Sequence, residues 1–123
     1  KDSDVVLSAT TSKTDADGKA TVTLTSTTTA VDDVLVSAQY QETAAVPADN
    51  TVSFIYNITS AKVDTVKLDG TVTQKVADGV SFFTYTAQVT DGNGNDVRQA
   101  DLVVNWTQNK KSDVVLSATT SKT

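Results

Sequence analysis

The chain has 123 residues and contains no cysteine, no histidine and no methionine, with one proline and one tryptophan. Without cysteine there is no disulfide and no thiolate nucleophile. Without histidine there is no imidazole base and no zinc site of the usual Cys/His kind. Arg98 is the only arginine, and the net charge is −5, which excludes the clustered Lys and Arg needed to hold nucleic acid or anionic lipid. No apolar run approaches the ~20 residues that cross a bilayer, so direct membrane insertion is not expected. No secretory leader is read either, and such signals are expected elsewhere in the parent protein. The lack of cysteine leaves the compartment open.

Glutamate is nearly missing too: Glu42 is the only one among 15 acidic residues. Glutamate favours helix interiors, whereas aspartate bonds its own backbone in turns, so the bias points to strands and turns.

The peptide SDVVLSATTSKT stands at residues 3–14 and again, letter for letter, at residues 112–123. The spacing from Ser3 to Ser112 defines a tandem repeat with a period of 109 residues. A unit of this length is one domain's worth of chain and can bury a core of its own, unlike the short units of a solenoid.

Between the copies, apolar and polar residues alternate. Residues 20–26 place Val22 and Leu24 on one face and threonines on the other, after an Asp17-Gly18 turn. Residues 34–40 align Val34, Val36, Ala38 and Tyr40, and residues 50–55 align Val52 and Phe54, after a loop containing Pro47. Val63, Val66 and Leu68 mark an irregular strand ending at Asp69-Gly70. Residues 82–90 carry Phe83, Tyr85, Ala87 and Val89 on one face, and residues 100–106 carry Leu102, Val104 and Trp106. Six or seven strands at intervals of roughly ten residues predict an all-β sandwich.

The stretch VADGVSFFTYTAQVTDGNGNDVRQADLVVNW, followed by SATTSKTDADGKATVTLTSTTTA, resembles the bacterial Ig-like domain of group 1, the repeated extracellular module of intimin/invasin-type adhesins. The ADG turn, the strand running into N-G-N, the TD-x-x-G-K-A-x-V-x-L strand and the V-S-A strand carry the resemblance over nearly the whole repeat. Asp96 and Gln99 replace a common proline and glycine, and residues 30–33 replace a glycine turn. Both departures fall in loops. The resemblance implies an immunoglobulin-like β-sandwich of about seven antiparallel strands.

In the order of that family the sequence is cut mid-module. Residues 1–55 are then the C-terminal half of one repeat, and residues 56–123 the N-terminal half of the next. For the halves to close within one chain, the junction at residues 55–61 would run back along a strand, roughly 25 Å, which takes about eight extended residues. Pairing of halves between molecules, by domain or strand swapping, is therefore expected, because an isolated half exposes an apolar face and bare strand edges. The two copies of the peptide then compete for one strand slot.

Candidate chemistry is sparse, and no catalytic, cofactor-binding or metal site is assigned. Asp15 with Asp17, and Asp32 with Asp33, flank turns without an apolar pocket to raise a pKa. DGNGND at residues 91–96 alternates oxygen donors but lacks the bidentate Glu of a calcium loop, so it reads as a turn. The Asn57-Ile58-Thr59 and Asn105-Trp106-Thr107 sequons read as coincidence. No spacing of lysine, asparagine and carboxylate singles out an isopeptide triad. Trp106, in register with Leu102 and Val104, reads as core rather than as a sugar platform. Tyr56 and Phe82 fall outside the inward register and are the candidates for contacts between modules.

Rows of threonine favour extended backbone and keep the outer face solvated, which suits a long exposed rod. The resemblance implies a structural spacer in a repetitive stalk on the bacterial cell surface. The stalk would be anchored in the outer membrane through other parts of the parent protein and would present a distal adhesive tip. Its partners would be the neighbouring repeats, with self-association through complementing halves, no cofactor and no enzymatic activity. The alternative is an Ig-like module that itself binds a ligand in cell adhesion.

Overall fold

In a computed structural model, residues 3–123 are described, and they form ten strands and two single-turn 3-10 helices. The strands are β1 (Val5–Leu7), β2 (Leu24–Ser26), β3 (Val31–Val34), β4 (Ser37–Ala38), β5 (Val46–Pro47), β6 (Val52–Phe54), β7 (Lys62–Leu68), β8 (Tyr85–Thr90), β9 (Val103–Asn105) and β10 (Thr120–Lys122). They pair antiparallel as β1 with β2, β3 with β6, β4 with β5, β7 with β8 and β9 with β10. The protein is all-β, but its ladders are five separate two-stranded sheets rather than the two sheets of a seven-stranded sandwich. Every pair lies wholly within residues 1–55 or wholly within residues 56–123.

The β7–β8 ladder is the longest, and a bulge gives it its irregularity. Val63 opposes Val89, Thr65 opposes Gln88, Val66 opposes Ala87 and Leu68 opposes Tyr85. Val63 and Val66 stand three apart in sequence, which would place them on opposite faces of a regular strand. The extra residue, Asp64, brings both onto the face that Val89 and Ala87 share. Burial is concentrated at the Val89 end, where Val89, Val97 and Val104 form a cluster flanked by Tyr56, Ala61, Ala87, Leu102 and Trp106. At the other end Tyr85 is half exposed.

Several strands are shorter than their periodicity suggests. Of residues 20–26 only Leu24–Ser26 pairs, and Val22 stays exposed. The run from Val34 to Tyr40 breaks at residues 35–36, which belong to no strand, just after a β3 whose Asp33 takes a positive φ of 58°. Its remainder pairs with Val46–Pro47, so the proline lies in a two-residue strand, and Tyr40 is 72% exposed. Phe83 precedes β8 and is also exposed. The physical reason is common to all: alternation marks a face fit for burial, and these faces have no opposing sheet. The accessible surface is 10106 Å², against about 6,300 Å² for a compact monomer of this mass.

Candidate interaction site

Two copies of one peptide occupy the two ends of the described chain, and each is held by a different part of itself. In the first copy, Val5, Val6 and Leu7 oppose Ser26, Thr25 and Leu24. The Ser8 N–H donates to the Thr23 carbonyl at 2.9 Å, while the Thr23 N–H donates to Ser8 Oγ at 3.0 Å. Thr27 Oγ1 donates to the Asp4 carbonyl at 2.9 Å. Residues 9–14 of this copy lie outside any strand and are exposed.

The second copy uses its other end. Thr120, Ser121 and Lys122 oppose Asn105, Val104 and Val103. The Trp106 N–H donates to the Thr119 carbonyl and the Thr123 N–H to the Leu102 carbonyl. The indole Nε1–H of Trp106 donates to Ser121 Oγ at 2.7 Å, so the ring sits against the valine cluster with its polar edge satisfied. Residues 114–116, the counterpart of β1, belong to no ladder, and Val115 is 91% exposed.

The two bonding segments do not overlap. In the numbering of the second copy, residues 113–117 match the part that grips β2, and residues 119–123 grip β9. Only Ala118 lies between them. One peptide therefore carries the complements of two different strands.

A polar clasp joins the residues on either side of the junction. Asp91 is 2% exposed, and its carboxylate accepts from the N–H groups of Asn57, Asn93 and Asn95, each at 2.9 Å, and from Asn95 Nδ2 at 3.0 Å. The Asn57 N–H, and next the Asn95 side chain, hold its pKa down at about 2 against the opposing effect of burial. The DGNGN loop turns through Gly94 at φ 83°, and the Gly94 N–H donates back to the Asp91 carbonyl. With both carboxylate oxygens filled by N–H donors, Asp91 offers a cation no free face. Groups of three or more carboxylates that could hold a metal are absent among the described residues.

The clasp reaches into residues 1–55. Asn95 Oδ1 accepts from the Ala30 N–H at 2.7 Å and Asn95 Nδ2 donates to the Thr28 carbonyl at 2.8 Å. Arg98 Nη2 pairs with Asp32 Oδ2 at 2.8 Å in an exposed position. The junction itself is a 3-10 turn, Ile58–Ser60, in which Asn57 Oδ1 accepts from the Thr59 N–H and Ser60 Oγ accepts from the Gly92 N–H at 2.8 Å.

Tyr56 stands in this region. Its ring is half-buried against the valine cluster, its hydroxyl donates to Gln99 Oε1 at 3.0 Å, and it helps to line an open groove with Ala30, Asp32, Ile55, Asn95 and Arg98. Phe82 lies elsewhere, 73% exposed, with Lys75 Nζ 5.8 Å from its ring centroid and 5.0 Å from that of Phe83. The structure does not bring Tyr56 and Phe82 together. The 91–96 loop is a turn, as its sequence predicts, and it also carries the clasp, whose one signal in the sequence is the Asp91-to-Asn95 spacing that lets one side chain close on the other. No known protein family, curated protein or solved structure matches the chain.

Proposed function

We propose that the chain is a structural spacer, one link of a tandem array of Ig-like repeats in the stalk of a bacterial cell-surface adhesin. The stalk stands outside the outer membrane and holds an adhesive tip at its far end. The observation that carries this reading is the division of labour within the repeated peptide. In a continuous array each copy would grip the strand before it through residues 119–123 and the strand after it through the counterpart of residues 4–8. Neighbouring repeats are thereby the partners, and a seven-stranded sandwich is the form in which the five short sheets would close. A stalk gains from many identical links, whereas a receptor site needs to occur once. The threonine-rich, mostly exposed strands suit a solvated rod.

The test is an array of three and then six full 109-residue periods, measured by small-angle scattering. A rod whose maximum dimension grows by an equal step per repeat supports the spacer; a globule whose dimension grows only as the cube root of mass rejects it. A ligand-binding module is the second reading, favoured by the exposed Phe82 ring beside Lys75 and Phe83. It predicts that Phe82→Ser abolishes attachment of arrays to cells while leaving the rod intact.

A further inference from the structure

We propose that separate copies of this 123-residue chain assemble head to tail by strand exchange: residues 114–116 of one molecule take the place of β1 on the β2 strand of the next. The inference rests on the reading of the repeat as a link in an array, and it names the link's contact surface and register.

Four observations support the exchange. Residues 114–116 are an apolar Val-Val-Leu segment outside any ladder, with Val114 51% and Val115 91% exposed. The occupant they would replace, β1, has the same sequence, so β2 already shows how it receives them. Shifted by the period, the register places Val114 opposite Ser26, Val115 opposite Thr25 and Leu116 opposite Leu24 of the neighbour. The side-chain locks travel with it: Ser117 is the counterpart of Ser8, which bonds Thr23, and Asp113 of Asp4, whose carbonyl accepts from Thr27. The donor keeps its own β9–β10 hairpin throughout, because residues 119–123 grip β9 and are not needed by β2.

Surface area supplies the driving force. The exchange trades one β1–β2 ladder for an identical one, so by itself it gains nothing. It also brings residues 56–123 of one molecule beside residues 1–55 of the next, the arrangement that a continuous array would have. The chain exposes about 3,800 Å² more than a compact monomer of its mass, and a stable protein interface takes about 800 Å² from each partner. The contact is heterologous, since donor segment and acceptor strand are different surfaces, so it propagates into an open chain or closes as a ring.

The experiment uses the whole chain carrying T25C and V115C, in a protein that otherwise has no thiol. Thr25 and Val115 face each other only in the exchanged register. Oxidation followed by a non-reducing gel is expected to give a ladder with steps of 12.9 kDa. A monomeric band only, whether the thiols are free or joined within one chain, overturns the proposal. As a second variant, V114D/V115D leaves β1, β2 and the hairpin untouched. Light scattering over a wide concentration range is expected to return it to the mass of one chain, and growth that persists also overturns the proposal. Failure of this exchange leaves the array rods unaffected, and failure of the rods leaves the disulfide ladder to be read by itself.

Discussion

Asn95 Nδ2 donates to the carbonyl of Thr28, a residue 67 positions earlier, at 2.8 Å. The other side of the same amide accepts from the Ala30 N–H at 2.7 Å. One half-buried side chain thus satisfies two backbone groups on the far side of the junction, which no strand pairing crosses among the described residues. Asn95→Ala leaves both without their partner and is expected to lower stability by about 1–3 kcal/mol. Urea denaturation checks it. A variant with an unchanged midpoint would remove the clasp from any account of how residues 1–55 and 56–123 meet.

Asp91 is expected to make stability fall in acid. Its pKa lies at about 2 in the folded chain, below the ordinary 3.8. Its stabilising effect is therefore complete above about pH 4 and is lost as the pH drops towards 2. The cause is the set of N–H donors, led by that of Asn57, which favour the ionised carboxylate. Asp91→Asn should lower stability at neutral pH and flatten the decline between pH 4 and 2. Asp78, held down first by the Val80 N–H and then by that of Ser81, contributes with the same sign, so the flattening is partial and Asp78→Asn removes a further part. Parallel acid profiles for wild type and Asp91→Asn would contradict the assignment.

Thr90 is 4% exposed and its hydroxyl makes no hydrogen bond among the described residues. Its methyl and β-branch suit strand β8, whereas its oxygen is desolvated without return. Thr90→Val keeps the shape and removes the oxygen, so it should raise stability by about 1 kcal/mol. Thermal melting is sufficient to see the sign.

The two copies of the peptide predict an asymmetry that identical sequences would otherwise hide. Ser121→Ala removes the acceptor of the Trp106 indole and is expected to destabilise by about 0.5–1.5 kcal/mol and to shift the emission of the only tryptophan. Ser12→Ala, the same change in the first copy, should do neither, because residues 9–14 lie outside any strand. Conversely, Val6→Ala should weaken the β1–β2 ladder, where Val6 opposes Thr25, while Val115→Ala, at a position 91% exposed and outside any ladder, leaves the isolated chain's stability unchanged. Equal effects in both members of either pair would mean that the copies do not divide the work.

How far the sequence carried these conclusions depended on whether a partner was near in the chain. The β7–β8 strands were legible, even to the irregular spacing of Val63 and Val66, because Tyr85, Ala87 and Val89 alternate throughout β8 and Val66 and Leu68 alternate in β7 beyond the bulge. The Asp17-Gly18 turn was legible as well, since Gly18 takes φ 79° and Asp15 accepts from its N–H. Val22, Tyr40 and Phe83 alternate just as well, yet stay exposed, because alternation says which side chains share a face and not whether another sheet covers it. The division of the repeated peptide could not be read from the peptide at all. Both copies have the same letters, and what distinguishes them is the neighbour: Leu24 and Thr25 follow the first, Val103 and Val104 precede the second.

The single alanine between the two grips gives the peptide a mechanical character. When an array is stretched, tension entering at residues 119–123 passes through Ala118 before it reaches the grip on the following β2 strand. Each ladder there is only three residue pairs long, so each would yield at modest force and re-form against a chemically identical partner. If the chain is the spacer proposed above, a stalk joined in this way would lengthen under load in small, recoverable steps and dissipate a pull at its tip rather than transmit it whole to its anchor.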